Sequence, residues 1–261
     1  MFNEKYFAGI DVGTSYIKTV VLNQKKEIIG FSIIKSGTNL KKSIITSFKK
    51  AIKDAGLSQD LINNVTATGF GRRKVVFANS VKTEISSHAK GAYHYFPRKI
   101  TVIDIGGQDS KIVKIDEKGK IIGFKMNRKC AAGTGTFLEE IAYKLNISLD
   151  EMNVLATKST KDIPLGSFCT VFASTEILSR IKEGEKIEDM VKSTFESVVK
   201  RVLEMDTLGE TVVMTGGVIA YNTFLLKIFS KFIENKILTP PNPQLIGAFG
   251  AALFAQELVR D

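Results

Sequence analysis

Tryptophan is absent from this chain, and histidine, cysteine and proline are scarce, at two, two and five residues. No apolar run approaches the roughly 20 residues that a membrane-spanning helix needs. The opening Met1-Phe-Asn-Glu-Lys-Tyr lacks an apolar leader region, so the expectation is a cytoplasmic protein with no membrane role. Two cysteines, with no Cys-x-x-Cys spacing, exclude a disulfide framework. They also cannot complete a four-ligand metal site within one chain. Acidic residues are outnumbered, 27 against 37 basic ones, for a net charge of +10. The basic residues are spread mostly singly or in pairs through helices and turns. They therefore read as solvated faces rather than a nucleic-acid track, leaving an acidic protein partner as the other implication. With 261 residues, 44% of them hydrophobic, the chain can form two modest domains with a substantial core.

What is present is a repeat. Shifted by 93 residues, Ile10–Phe31 lies on Ile103–Phe124 without a gap, and ten of the 22 pairs are identical. The retained pairs include Asp11/Asp104, Gly13/Gly106 and Lys18/Lys111. Each copy reads as strand, Asp-x-Gly turn, strand, charged turn, strand. The conserved pattern within one chain predicts two equivalent half-sites facing each other.

The chain order fills in around these copies. Strands are expected at 6–12, 16–22 and 27–35, a helix from Leu40 to Ala55, a strand at 64–68 and a helix at 81–95 stopped by Pro97. The second half expects strands at 100–105, 110–116 and 120–126. Helices follow Thr134, at 149–157, from Cys169 to about Glu183, at 187–206, at 219–234 and at 246–258, with a strand at 211–214. The fold class is α/β, with halves 1–97 and 98–261, a helical insert at 127–209 in the second, and the last helix packing back on the first.

A hairpin bent at glycine can bring several backbone N–H groups to an oxyanion. Thr14, Ser15 and Lys18 add donors to the first turn; Gly107 and Gln108 extend the second. Asp11 and Asp104, at strand ends, suit Mg²⁺ held through water. Asp11, Asp104 and Gln108 are the candidate catalytic groups. Thr215-Gly216-Gly217 is a third glycine-rich turn, where an adenosine can lie against backbone, and Gln244 is a further candidate for binding the nucleotide. A single such turn is commonplace; three, two of them duplicated, point to a nucleotide. His88, in one stretch with Glu84, reads as a structural histidine.

These motifs resemble the acetate kinase, sugar kinase, heat-shock chaperone and actin superfamily. Thr68-Gly-Phe-Gly-Arg72, Lys129-Cys-Ala-Ala-Gly-Thr-Gly135, Cys169-Thr-Val-Phe-Ala173 and Ile246-Gly-Ala-Phe-Gly-Ala-Ala252 narrow the resemblance. Together they look like the ATP-dependent activators of 2-hydroxyacyl-CoA dehydratases, grouped with the ATPase subunits of benzoyl-CoA reductase. The resemblance implies duplicated actin-like, ribonuclease H-like ATPase domains, mixed sheets flanked by helices, that bind ATP or ADP with Mg²⁺. It implies a homodimer sharing one 4Fe-4S cluster through Cys130 and Cys169 of each copy. It further implies ferredoxin or flavodoxin as electron donor and a 2-hydroxyacyl-CoA dehydratase or related enzyme as acceptor, with hydrolysis changing the angle between the halves. The residues agree with this: a cluster takes four thiolates, and two per chain in a two-fold dimer make four. Both cysteines precede expected helices, whose N-termini favour thiolates. Gly133 and Gly135 let the first of those helices begin against something bulky. Ser174-Thr175-Glu176 departs from the family's Glu-Ser-Glu.

Two other readings stay open on the residues. A small-molecule kinase would use Asp104 or Asp109 as base, and a non-catalytic actin-like scaffold would bind nucleotide without turnover. The electron acceptor could equally be a benzoyl-CoA-type reductase or a double-cubane cluster protein.

Overall fold

The computed structural model describes residues 4–166 and 169–259. It resolves into two compact units: the described parts of Met1–Lys99, Ile115–Ile121 and Leu245–Asp261, and of Ile100–Lys114 with Ile122–Gln244. Unit 1 opens with β1 (Tyr6–Val12), β2 (Tyr16–Leu22), β3 (Ile28–Lys35), α1 (Leu40–Asp54), β4 (Ile62–Thr68), β5 (Ser80–Val81) and α2 (Glu84–Tyr95). Next come β6 (Ile100–Ile105), β7 (Ser110–Ile115), β8 (Ile121–Asn127), α3 (Gly135–Leu145), α4 (Leu149–Thr157), α5 (Thr170–Lys182) and α6 (Ile187–Leu203). Then β9 (Thr211–Thr215), α7 (Gly217–Tyr221), α8 (Thr223–Phe232) and β10 (Lys236–Leu238) complete unit 2, and α9 (Ile246–Glu257) belongs to unit 1.

In unit 1 the sheet order is β3-β2-β1-β4-β5, antiparallel across β1–β3 and parallel from β1 to β5. Strand alternation sends Ala8, Ile10 and Val12 into one core with Ile44, Phe48 and Ile52 of α1. Gly9 and Asp11 fall on the opposite face, against α9. A side chain at Gly9 would put its Cβ 2.0 Å from the Ala248 carbonyl oxygen, so the helix lies on the strand only because there is none. The small-residue run of α9 serves α2 in the same way, Gly250 sitting against the Ser87 carbonyl.

The sheet of unit 2 runs β10-β9-β6-β7-β8, with β9 parallel to both β6 and β10. Its core joins Ile103, Ile105 and Ile112 to Phe137, Ile141, Phe195, Val198 and Phe229 from the helices. The helix expected at 219–234 is two, broken at Asn222. Asn222 donates from Nδ2 to the Val218 carbonyl at 2.9 Å, a local bond that competes with helix propagation. β10 is three residues long, too short to leave a periodic signal. The helix expected from 81 starts at Glu84, because Thr83 caps it through the Ser86 N–H at 3.1 Å while Ser80 and Val81 pair with β4.

One buried carboxylate ties this unit together. Asp189, in the first turn of α6, accepts the Ser159 hydroxyl at 2.8 Å and the N–H groups of Thr160 at 2.8 Å and Lys161 at 2.9 Å. Burial alone would raise its pKa, but the Lys161 N–H, the Ser159 hydroxyl, the Thr160 N–H and the Lys186 charge hold it below the usual carboxylate value. Asp189→Ala is expected to cost about 2–3 kcal/mol, since buried donors lose their acceptor, measurable by urea denaturation. A native pKa below the unfolded one stabilises above the unfolded pKa and is lost as pH falls through the native value. The stability gap between wild type and Asp189→Asn should therefore narrow as pH drops below about 4.

Candidate functional site

The repeat holds at atomic level. In the first copy the Gly13 N–H donates to the Tyr16 carbonyl at 3.1 Å; in the second, Gly106 donates to Asp109 at 2.9 Å. The two bonds are related by the same 93-residue shift. Each leaves the amides after its glycine, Thr14 and Ser15 or Gly107 and Gln108, outside the turn's own hydrogen bond. Thr14 and Gln108 are exposed, and Ser15 and Gly107 are half-buried.

The retained lysine is the cross-strand partner of the retained aspartate. Asp11 and Lys18 are opposite in the β1–β2 register, with Lys18 Nζ 3.7 Å from Asp11 Oδ2. Lys111 Nζ lies 3.1 Å from Asp104 Oδ2 and 2.7 Å from Asp109 Oδ1, with its side chain 4% exposed. Asp104 Oδ1 also accepts the Thr215 hydroxyl at 3.1 Å, so both its oxygens are engaged. Asp11 is the less encumbered of the two carboxylates.

Around Asp11, unit 1 gathers residues far apart in sequence. Glycine at 69 and 247 makes room for it: a Cβ on Gly69 would fall 2.4 Å from Asp11 Oδ1, and one on Gly247 2.9 Å from Oδ2 and 2.8 Å from His88 Nε2. Gly247 and His88 thus border the carboxylate, which their own sequence contexts do not signal. The stretches that carry Gly69 and Gly247 both occur among the motifs, but not as neighbours of Asp11.

Unit 2 brings three glycine-rich turns together. The Gly106 carbonyl accepts the Gly135 N–H at 2.9 Å, and the Gly107 carbonyl accepts the Thr136 N–H and hydroxyl, each at 2.7 Å. A Cβ at Gly135 would lie 3.1 Å from Gly107 Cα and 3.2 Å from the Val218 side chain, beside the third turn. Gly216, at φ +100°, donates its N–H to the Pro243 carbonyl at 3.0 Å, drawing in the segment that carries Gln244. Gln244 Oε1 is buried with no hydrogen-bond partner among the described residues, and Gly217 faces open space. Backbone amides, an open glycine and a spare buried acceptor suit a nucleotide.

Cys130 opens the segment that leads into one of these turns, whereas Cys169 lies farther along the chain at the start of α5. Cys130 is half-buried and lies in the loop before α3. Cys169 is exposed at the N-cap of α5, and its carbonyl accepts the Ala173 N–H at 2.8 Å. Phe168, the residue before Cys169, lies outside the described residues. Helices α3 and α5 pack against each other. Asn127 organises the first loop, donating from Nδ2 to the Cys130 and Ala132 carbonyls at 2.9 Å and accepting the Cys130 N–H at 3.3 Å. Beside Cys169, Thr170 Oγ1 is buried with no partner among the described residues, and Val171 and Phe172 are 70% and 67% exposed. Among the described residues no three Cys, His, Asp or Glu side chains cluster as metal ligands. Two cysteines thus precede helices that pack on each other, and the one at α5 sits beside an uncovered apolar shelf. Among the described residues, no helix is long and apolar enough to cross a membrane.

Comparison with known proteins gives a consistent result. The profile of the BadF/BadG/BcrA/BcrD ATPase family matches residues 8–255. The activator of lactoyl-CoA dehydratase from Anaerotignum propionicum is 40% identical over 255 residues, covering 97% of this chain and 98% of that one. Component A of the (R)-2-hydroxyglutaryl-CoA dehydratase of Acidaminococcus fermentans superposes with a TM-score of 0.93 at 36% identity, covering 98% and 100% of the two chains. The activator of the 2-hydroxyisocaproyl-CoA dehydratase from Clostridium difficile, solved with bound ADPNP, gives 0.92 at 37%, covering 98% and 96%.

Proposed function

The chain belongs to the BadF/BadG/BcrA/BcrD ATPase family, and from that premise we propose that it is an ATP-hydrolysing iron–sulfur reductase. Its relatives activate 2-hydroxyacyl-CoA dehydratases. The reading adds the means: a low-potential electron passes from a ferredoxin or flavodoxin to such a dehydratase. The observation that carries this is a pair of cysteines, Cys130 in the loop leading into α3 and Cys169 at the N-cap of α5, on two helices that pack together in an ATPase.

The chain's own groups divide the work. Thr14, Ser15 and Lys18 on one hairpin, and Gly106, Gly107 and Gln108 on the other, serve the nucleotide's phosphates. Asp11, and to a lesser extent the already engaged Asp104, would hold Mg²⁺ through water, where the ion would offset phosphate charge. Gly216, Gly217 and Gln244 take the nucleoside end. Cys130 and Cys169, with the same pair from a second copy, would hold a 4Fe-4S cluster, which supplies a one-electron carrier when bound. Gly133 and Gly135 allow the Cys130 loop to turn closely into α3. The energetics are feasible: at about 59 mV per tenfold, a shift of about 240 mV corresponds to about 5.5 kcal/mol. That matches the differential binding that throws a two-state switch from about 1:99 to 99:1.

The test is stoichiometry. Anaerobically reconstituted protein should carry about two irons per chain and run as a dimer, because four thiolates come from two copies. About four irons per chain, or a monomer with a full cluster, would overturn the shared site. A colourless protein that phosphorylates a small acceptor would favour a kinase instead.

A further inference from the structure

The Cys130 loop, residues 128–134, is braced at both ends, and the two braces differ. At its start Asn127 holds Cys130 and Ala132 through bonds that stay inside the loop. At its end the hydrogen bonds found among the described residues from outside the loop come from the second Asp-x-Gly hairpin. Ser110 Oγ donates to the Gly133 carbonyl, Gly135 N–H to the Gly106 carbonyl, and Thr136 N–H and Oγ1 to the Gly107 carbonyl. Thr134, the N-cap of α3, makes no side-chain cap bond, so the hairpin carbonyls satisfy amides that a helix otherwise leaves without partners. Gly133, at φ +77°, seats this end of the loop against the aliphatic part of Arg201.

Peptide planarity gives this arrangement a direction. The Gly106 carbonyl and the Gly107 N–H belong to one rigid peptide group, as do the Gly107 carbonyl and the Gln108 N–H. In a trans peptide the N–H points away from the carbonyl of the same group. The two carbonyls that grip α3 are therefore the far ends of the two amides proposed to meet phosphate. An anion drawn to those N–H groups reorients the same planes and polarises their carbonyls, strengthening the bonds to Gly135 and Thr136. Loss of the anion does the reverse. Only four residues separate Cys130 from Gly135.

We propose that the Thr136 hydroxyl on the Gly107 carbonyl, with Ser110 on Gly133, is the clasp through which nucleotide at the second hairpin sets the position of the Cys130 loop. Thr136 and Ser110 are positioning residues in this scheme and touch neither nucleotide nor metal. The proposal rests on the reading of the hairpin as a phosphate site and of Cys130 as a cluster ligand. The contacts form one contiguous network within unit 2, the physical route that coupling requires.

Thr136→Val tests it, since a methyl replaces the hydroxyl while the backbone N–H bond remains. In the full chain without cluster, the alkylation rate of Cys130 is followed by peptide mass spectrometry, with Cys169 as internal reference. Adding the magnesium salt of ADPNP should change the wild-type Cys130 rate by at least about 5-fold, the lower range for coupled sites. In Thr136→Val the change should fall below about 2-fold while ADPNP affinity by calorimetry stays within about 3-fold. Thr136→Ser should respond like wild type, and Ser110→Ala, which opens the other clasp, should lose the response independently. With cluster assembled, the ADPNP-dependent change in the EPR spectrum should follow the same order. A full response in both Thr136→Val and Ser110→Ala overturns the clasp, as does a Thr136→Ser protein as unresponsive as the valine variant. A wild type that binds ADPNP and assembles a cluster while Cys130 ignores nucleotide also overturns it. A wild type that binds no ADPNP or assembles no cluster overturns the functional reading underneath.

Discussion

Cys130→Ser and Cys169→Ser are each expected to give a folded, colourless protein that still binds nucleotide. In a two-fold dimer either change removes two of four thiolates, and a serine hydroxyl is too weakly acidic to replace them as ligands. Neither substitution should unfold the chain. Cys130 is only half-buried and Cys169 is exposed, and exposed replacements usually stay within about 0.5 kcal/mol. The Cys130 loop is organised by the Asn127 side chain and by backbone, not by the thiol. Anaerobic absorption and EPR spectra should therefore lose the cluster signal completely, with ADPNP affinity within about 3-fold of wild type. A full cluster in both variants would contradict the assignment of these thiols.

Asp11→Asn should lower ATP turnover by about 10²–10³-fold, the size of effect seen when one aligned electrostatic group is removed from a reacting centre. Asparagine has the same shape, so Gly69 and Gly247, whose Cβ positions would fall 2.4 and 2.9 Å from the carboxylate oxygens, still accommodate it. Stability should change only modestly, because Asp11 is buried but its ion pair with Lys18 spans a long 3.7 Å and the lysine keeps contact with solvent. Asp104→Asn separates the two quantities. It weakens one of two carboxylate partners of Lys111, whose side chain is 4% exposed, and the remaining Asp109 bond at 2.7 Å only partly compensates. That variant should lose stability by about 2 kcal/mol, below the cost of a fully broken buried pair, along with turnover. Steady-state ATPase rates and denaturant midpoints check both. Turnover by Asp11→Asn within about 3-fold of wild type would remove this carboxylate from the chemistry.

Much of the candidate site was legible because its signals are local. The glycine of an Asp-x-Gly turn sits between its two strands, and the cross-strand lysine is only seven residues from its aspartate. The lysine shows how a repeated residue can carry a meaning that the repeat alone does not disclose. Lys18 and Lys111 stood out because both copies keep them, and the structure adds that each is the counterion of its own aspartate. Gly30 and Gly123 illustrate the opposite. Gly30 makes room for Ala55 at the end of α1, whereas its repeat mate Gly123 faces open space, and nothing in the structure explains its identity. The helix broken at Asn222 escaped periodicity because hydrophobic spacing continues across the break, while the side-chain bond to Val218 that ends α7 leaves no mark on that spacing.

The sequence by itself determined the duplicated hairpins, their shared register, the α/β class and the two thiols ahead of helices, since alternation, turn glycines and capping act over a few residues. Only the tertiary structure decided what those parts touch. Gly247 reaches Asp11 across 236 positions, because α9 packs on the glycine-bearing face of β1. Thr136 meets Gly107 across 29, because α3 begins where the second hairpin offers its carbonyls. Such meetings are set by packing and by buried amides finding acceptors, and those acceptors lie far away in the chain.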